Sequence, residues 1–161
     1  MPTNTLTMTG PLDPRGGWEA RRCAIARAMD VVGSRSAFLL LREAFYGTTR
    51  FDEFAQRVGI SEPVAAARLK ELVEVGLLER HPYQEPGQRA RLEYQLTEMG
   101  ADFFPALAAL MQWGDRWLGP AGVEMQHHAC GGAVRAELRC SRGHQVEIGE
   151  IDLVVRPPSG R

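Results

Sequence analysis

The chain has 161 residues, 44% hydrophobic and 24% charged, which leaves room for one compact domain and an appendage but not for two full-size domains. Lys and Arg number 19 against 20 Asp and Glu, so the net charge of −1 excludes a generally basic protein and confines any nucleic-acid site to a local surface. No apolar run reaches the roughly 18 residues of a membrane span. Three cysteines are too few for a disulfide scaffold, so the chain reads as cytoplasmic, with no membrane partner.

Residues 1–17, rich in Thr, Pro and Gly without periodicity or an apolar signal core, read as a disordered tail. From Trp18 the texture changes, and Ile25, Met29 and Val32 fall on one helical face. Ser34 after Gly33 is an expected N-cap for a helix over 35–46, with Phe38, Leu41 and Phe45 on one stripe. A third helix is expected over 50–58, with Asp52 and Glu53 favourable to the dipole at its start. Gly59-Ile60 makes a turn, and Ser61 caps a fourth helix to about Val75, with Pro63 tolerated in the first turn. Two strand-like runs, 77–84 and 90–97, flank Glu85-Pro86-Gly87-Gln88 as a hairpin. A single long helix follows over 101–118, closed by Gly119-Pro120. Beyond it, 133–139 and 145–155 read as short strands of a β extension spanning 120–161, whose last residues, 156–161, read as a mobile tail. The element order predicts an α+β, mainly α fold: a winged helix-turn-helix over 18–119 with a long C-terminal helix.

A short helix, a glycine turn and a second helix offer that second helix to the DNA major groove. Ala55 lets the helices approach, and Phe54, Val58 and Ile60 fill the inner faces. With Leu69 and Leu72 inward, Pro63, Val64, Ala67 and Lys70 point outward and Ala66 and Arg68 flank them. Ser61, Val64, Arg68 and Lys70 are the expected major-groove contacts, with Ser61 and the helix N-terminus suited to a phosphate. Arg80, His81, Arg89 and Arg91 on the hairpin are the expected backbone contacts. Between Arg50 and Arg91 seven basic residues face seven acids, so a DNA surface here requires charges to segregate in space. The alternative is a winged helix that docks a protein and does not bind DNA specifically.

Residues 23–118 resemble the HxlR-type family of winged-helix, MarR-like transcriptional regulators. The resemblance rests on Cys23-Ala24-Ile25-Ala26, Val31-Val32-Gly33, Arg50-Phe51-Asp52-Glu53-Phe54, Ile60-Ser61, Arg68-Leu69 and Gly76-Leu77-Leu78-Glu79-Arg80. Tyr83, Glu93-Tyr94, Leu96-Thr97 and Gly100 continue it. It implies a homodimer through the first and last helices, gripping a pseudo-palindromic operator on double-stranded DNA, more readily as repressor than activator. Three positions depart from the family pattern. Ala24 stands where Pro is usual, Ser36 where a Trp is common, and Ala65, Ala66 and Ala67 replace polar residues of the reading helix. These alanines can touch thymine methyls but cannot hydrogen-bond to bases.

Cys23 occupies the family position that in some members answers oxidants or electrophiles, and Arg21, Arg22 and Arg27 are charges that would lower a thiol's pKa. The plainer reading is a half-buried cysteine at the dimer seam. In the extension, His127, Cys130, Cys140 and His144 approximate the two knuckles of a zinc ribbon. The competing reading is a decayed ribbon without metal, with a Cys130–Cys140 disulfide as a lesser alternative. Trp113 and Trp117 continue a stripe with Phe103, Leu107, Leu110 and Met111 that suits a dimer core better than a pocket. An effector cavity is expected between the first and last helices. No phosphate-binding glycine loop, HExxH or persuasive carboxylate pair is present, and a Cys–His nucleophile is poorly supported, so the chain reads as a regulator and not an enzyme.

Overall fold

A computed structural model describes residues 5–10, 23–87 and 89–155. In chain order its elements are β1 (Thr7–Met8), α1 (Ala24–Val32), α2 (Arg35–Phe45), α3 (Phe51–Val58) and α4 (Glu62–Glu74). They continue with β2 (Leu78–Tyr83), β3 (Arg91–Leu96), α5 (Glu98–Ala101), α6 (Phe104–Leu118) and β4 (Asp152–Leu153). Trp18, Arg21, Arg22, Gln88, residues 11–17 and residues 156–161 lie outside the described residues, and with them part of the expected tails and part of the expected hairpin turn.

Local signals set the helix ends. Ser34 accepts a hydrogen bond from Ala37 N at 3.1 Å and caps α2 as expected. Gly59 takes a left-handed φ of 70° and turns the chain between α3 and α4. Ser61 stands at the N-cap of α4 with extended backbone, but its hydroxyl makes no capping bond, contrary to expectation. The expected last helix is α6, which starts at Phe104 instead of Ala101, and a separate short α5 ends ahead of it because Pro105 has no N–H and its ring would clash with the Ala101 carbonyl. Thr97 starts the first piece, accepting from Gly100 N at 3.0 Å while donating to Gly76 O at 2.5 Å.

The core lies between α2, α3, α4 and the antiparallel β2–β3 hairpin, whose register runs from Leu78 opposite Leu96 to Tyr83 opposite Arg91. Phe54, Leu40, Leu41, Leu69, Leu72 and Leu78 are its largest fully buried side chains. Phe38 and Phe45, expected on the inner stripe of α2, are half-buried. They face the C-terminal helices, Phe38 edge-on to Phe103 at 5.6 Å and Phe45 against Phe104 at 5.1 Å.

The extension departs most from expectation. The runs 133–139 and 145–155 do not form two strands. They are stitched by isolated bridges, Gln126 with Ala133 and Arg139 with Gln145, and by one 3-10 turn at Ile148–Glu150. Residues 134–136 find their backbone partner in a side chain of α6. Gln112 donates to Val134 O at 2.7 Å and accepts from Ala136 N at 2.8 Å. Part of the tail expected to be disordered is also paired, since β1 runs parallel to β4 with Thr7 opposite Asp152 and Met8 opposite Leu153.

A Cβ added at Gly100 would lie 2.1 Å from Leu77 O, although helix propensity alone favours alanine there. Close approach outweighs propensity, so Gly100→Ala should cost about 1–3 kcal/mol. The readout is a lower urea midpoint at unchanged m; an unshifted midpoint would show that the α5–hairpin junction has slack.

Candidate nucleic-acid interface

Ala65, Leu69 and Leu72 on α4, spaced i, i+4 and i+7, are buried. That stripe turns Glu62, Pro63, Val64, Ala66, Ala67 and Lys70 outward and leaves Arg68 half-buried. The outward set agrees with the sequence reading, with one correction. Ala65 has no exposed surface and cannot touch a base.

The hairpin is fixed to this unit by Tyr94. Its N–H donates to Thr49 O at 2.8 Å, and its ring meets Phe54 edge-on at 6.0 Å. Arg80 stacks on the same ring at 5.6 Å. Arg50 pairs with Glu85 and lies over the Tyr83 ring at 5.0 Å, bracing the wing against the start of α3. The Glu85 hydrogen bond, then the charge of Glu85, raise the pKa of Arg50 above its ordinary value.

Arg80 and His81 were expected to act together, but neighbours on a strand point to opposite faces. Arg80 lies on the Tyr94 face. His81 lies on the other, opposite Glu93 across the strands, with its Nε2 3.0 Å from Glu79 Oε1 but out of hydrogen-bond alignment. The surroundings of His81 are therefore acidic.

Three basic residues of the helices are matched locally. Arg57 pairs with Glu53 at 3.8 Å, Arg68 with Glu71 at 2.5 Å and Lys70 with Glu74 at 3.6 Å. Arg89 and Arg91 at the wing tip are exposed, and their side chains form no ion pair or hydrogen bond among the described residues. Unpaired positive charge thus collects at the wing tip, while the reading helix is close to neutral.

Cys23 is half-buried at the N-cap position of α1, with no side-chain capping bond. The expected zinc tetrad is not assembled. His127 Nδ1 lies 3.1 Å from Cys130 Sγ, but Cys140 and His144 close a separate turn through Cys140 N to His144 O. Among the described residues no three His, Cys, Asp or Glu side chains are placed to hold a metal, because each loop folds on its own backbone bonds. Cys130 and Cys140 are free, so the alternative disulfide is not formed.

Two hollows flank the C-terminal helices. One, of about 370 Å3, lies between α1 and the α5–α6 junction, where an effector cavity was expected. The other, of about 610 Å3, lies between α6 and the extension, with Trp113, Trp117, Met125 and Val134 in its walls. Sequence reasoning missed Gln112, which builds that second cleft by holding the extension down. The available signal was an amide side chain set between the apolar Met111 and Trp113.

The model of the HxlR-like helix-turn-helix family matches residues 31–121. The chain belongs to that family. It is 44% identical over 141 residues to the HTH-type transcriptional regulator Rv3095 of Mycobacterium tuberculosis, covering 85% of this chain and 87% of the relative. The crystal structure of PA1607 superposes with a TM-score of 0.74 at 32% identity, covering 84% of this chain and 96% of that one. The redox regulator HypR in its reduced form gives 0.53 at 26% identity, over 60% and 96%. The protein is accordingly a DNA-binding, winged-helix transcription regulator and not an enzyme. No helix among the described residues is long and apolar enough to cross a membrane. Residues 23–119 amount to 60% of the chain, so the higher coverages by Rv3095 and PA1607 reach beyond that part and into the extension.

The ion pair between Arg68 and Glu71 is half-exposed, so breaking it should change stability by less than about 1 kcal/mol. Glu71→Gln removes an acid and releases Arg68 toward DNA. It should tighten binding a few-fold and steepen the dependence of log K on log salt by up to about 0.9. Unchanged affinity and slope would place Arg68 outside phosphate reach.

Proposed function

We propose that the protein acts in the cytoplasm as a homodimeric repressor whose two reading helices and two wings grip a pseudo-palindromic operator on double-stranded DNA. The observation that carries the dimer is the uncovered apolar surface of the first and last helices. Ile25 is 72% and Met29 55% exposed on α1. Leu110, Trp113 and Trp117 form a stripe on α6 at 50%, 53% and 64%. A patch of that kind on one chain marks an interaction surface, and a two-fold partner would cover it and space the α4 helices for a palindrome.

In this reading Ser61, with its hydroxyl uncommitted, and Val64, Arg68 and Lys70 enter the major groove, while Arg89 and Arg91 hold the backbone beside it. Arg80 supports the wing through Tyr94, and His81 contributes little attraction among its carboxylates. Occupation of the operator then excludes polymerase. An electrophile or oxidant acting on Cys23 would reach the DNA through α1, the helix that carries part of the dimer surface. HypR, named a redox regulator, supports that assignment, and a small-molecule effector in the hollow beside α1 would use the same route.

Sedimentation should give twice the 17.8 kDa chain mass, and Trp113→Glu should give a folded monomer by circular dichroism. A wild-type monomer at micromolar concentration would remove the dimer. On DNA upstream of its own gene, Arg89→Ala should weaken binding on every sequence and lower the salt slope by about 0.9 for each phosphate left without its arginine. An unchanged slope would take the wing out of the interface. Diamide should alter DNA retention by the wild type and not by Cys23→Ser; identical responses would reject the sensor.

A further inference from the structure

Beyond the N-cap hydroxyl of Ser61, the part of α4 that enters the groove carries almost no hydrogen-bonding chemistry. From Glu62 to Ala67 the only polar side chain is Glu62, an acceptor that repels phosphate. Pro63, Val64, Ala66 and Ala67 are all exposed, and Val64 retains 42% of its surface. The next donors are engaged on their own helix, Arg68 by Glu71 at 2.5 Å and Lys70 by Glu74 at 3.6 Å. Helix-turn-helix proteins reach base edges with the N-terminal residues of this helix. In the major groove every base-edge feature is a hydrogen-bond donor or acceptor except one, the methyl group at C5 of thymine, which 5-methylcytosine shares.

From the exposed Pro63–Val64 and Ala66–Ala67 surface we infer that α4 reads its operator through the C5-methyl groups of pyrimidines, with Val64 as the principal contact. This rests on α4 lying in the major groove, as proposed above. Small side chains at 66 and 67 let the helix axis come close to the base edges, and the branched Val64 supplies two methyls for contact. Desolvating one methyl against such a surface corresponds to about a fourfold change in affinity. Several contacts in a two-fold site multiply to a useful preference. The free arginines Arg89 and Arg91 supply sequence-independent attraction from the wing.

The test starts with the full-length protein and a random duplex library, from which bound sequences are enriched. In the enriched site each thymine is then replaced in turn by deoxyuridine, which lacks only the methyl, and each cytosine by 5-methylcytosine. Affinity should fall about fourfold at each contacted thymine and be unaffected elsewhere. Val64→Ser, a change at an exposed position, should bring the thymine-to-uracil ratio toward one, whereas Arg89→Ala should weaken both DNAs alike. A response at thymines assigns the methyl to thymine. A gain confined to 5-methylcytosine assigns it to methylated cytosine, and both outcomes uphold methyl reading. An enriched site on which no uracil weakens binding and no 5-methylcytosine strengthens it overturns the inference and leaves the regulator intact. Retention without enrichment of any sequence overturns the specific-operator reading itself.

Discussion

The burial of one narrow stripe on α4 decides how the functional surface is presented. Ala65, Leu69 and Leu72 are the buried residues of the helix, and the core that receives the two leucines is built from Leu40 and Leu41 of α2 and Phe54 of α3. With the stripe fixed, the rotation of α4 about its axis is fixed, and so is the identity of every residue on the opposite side. Gly59 sets the other degree of freedom. Its left-handed backbone, without strain for glycine, lets α3 and α4 cross while Ala55 and Val58 stay buried between them. The wing is referred to the same core through a single aromatic. Tyr94 touches Phe54, receives Arg80 on its face and bonds the backbone ahead of α3, so the reading helix and the wing share one frame.

The parts of this arrangement that depend on neighbours in sequence were legible without a structure. Caps, glycine turns and the i, i+4, i+7 spacing of Ala65, Leu69 and Leu72 are local facts, and α2, α3, α4 and the hairpin fall close to where those facts place them. The opposite faces of Arg80 and His81 are equally legible from the two-residue period of a strand. Other features were not legible for a physical reason. β1 finds its partner at the far end of the chain, and two residues of sequence carry no sign of that pairing. The extension docks through the amide of Gln112, and no periodicity announces a bond between a side chain and a distant backbone. For the expected zinc ligands, spacing brings two groups of one knuckle together but does not say where the second knuckle lies.

The extension changes what α6 can do. Were the chain to end near Gly119, both flanks of α6 beyond α2 would be open. Instead the Gln112 clamp and the bond from Ala121 N to Asp115 at 2.6 Å lay residues 121–137 along one flank. Leu110, Trp113 and Trp117 stay exposed, the two tryptophans also walling the cleft beside the extension, so in the proposed dimer the surface left for a partner chain is narrower than the whole helix. A narrower surface restricts the crossing angles open to a second copy. In the proposed dimer the spacing of the two α4 helices would follow from that angle, which would link the extension to half-site separation.

Charge pairing completes the picture. A protein that holds DNA chiefly through many phosphate contacts binds all sequences well and loses affinity steeply with salt. Here Arg57, Arg68 and Lys70 each face a carboxylate on their own helix, and His81 sits between two more. The sequence-independent attraction of the helix-turn-helix is correspondingly small, with Arg89 and Arg91 left to supply it. Specificity is a ratio of affinities, and weak attraction to arbitrary DNA raises that ratio as surely as strong attraction to the right site. In the proposed interface the acids that make the segment look unsuited to DNA would thereby serve discrimination. They lower the background against which a few apolar contacts from α4 would have to be felt.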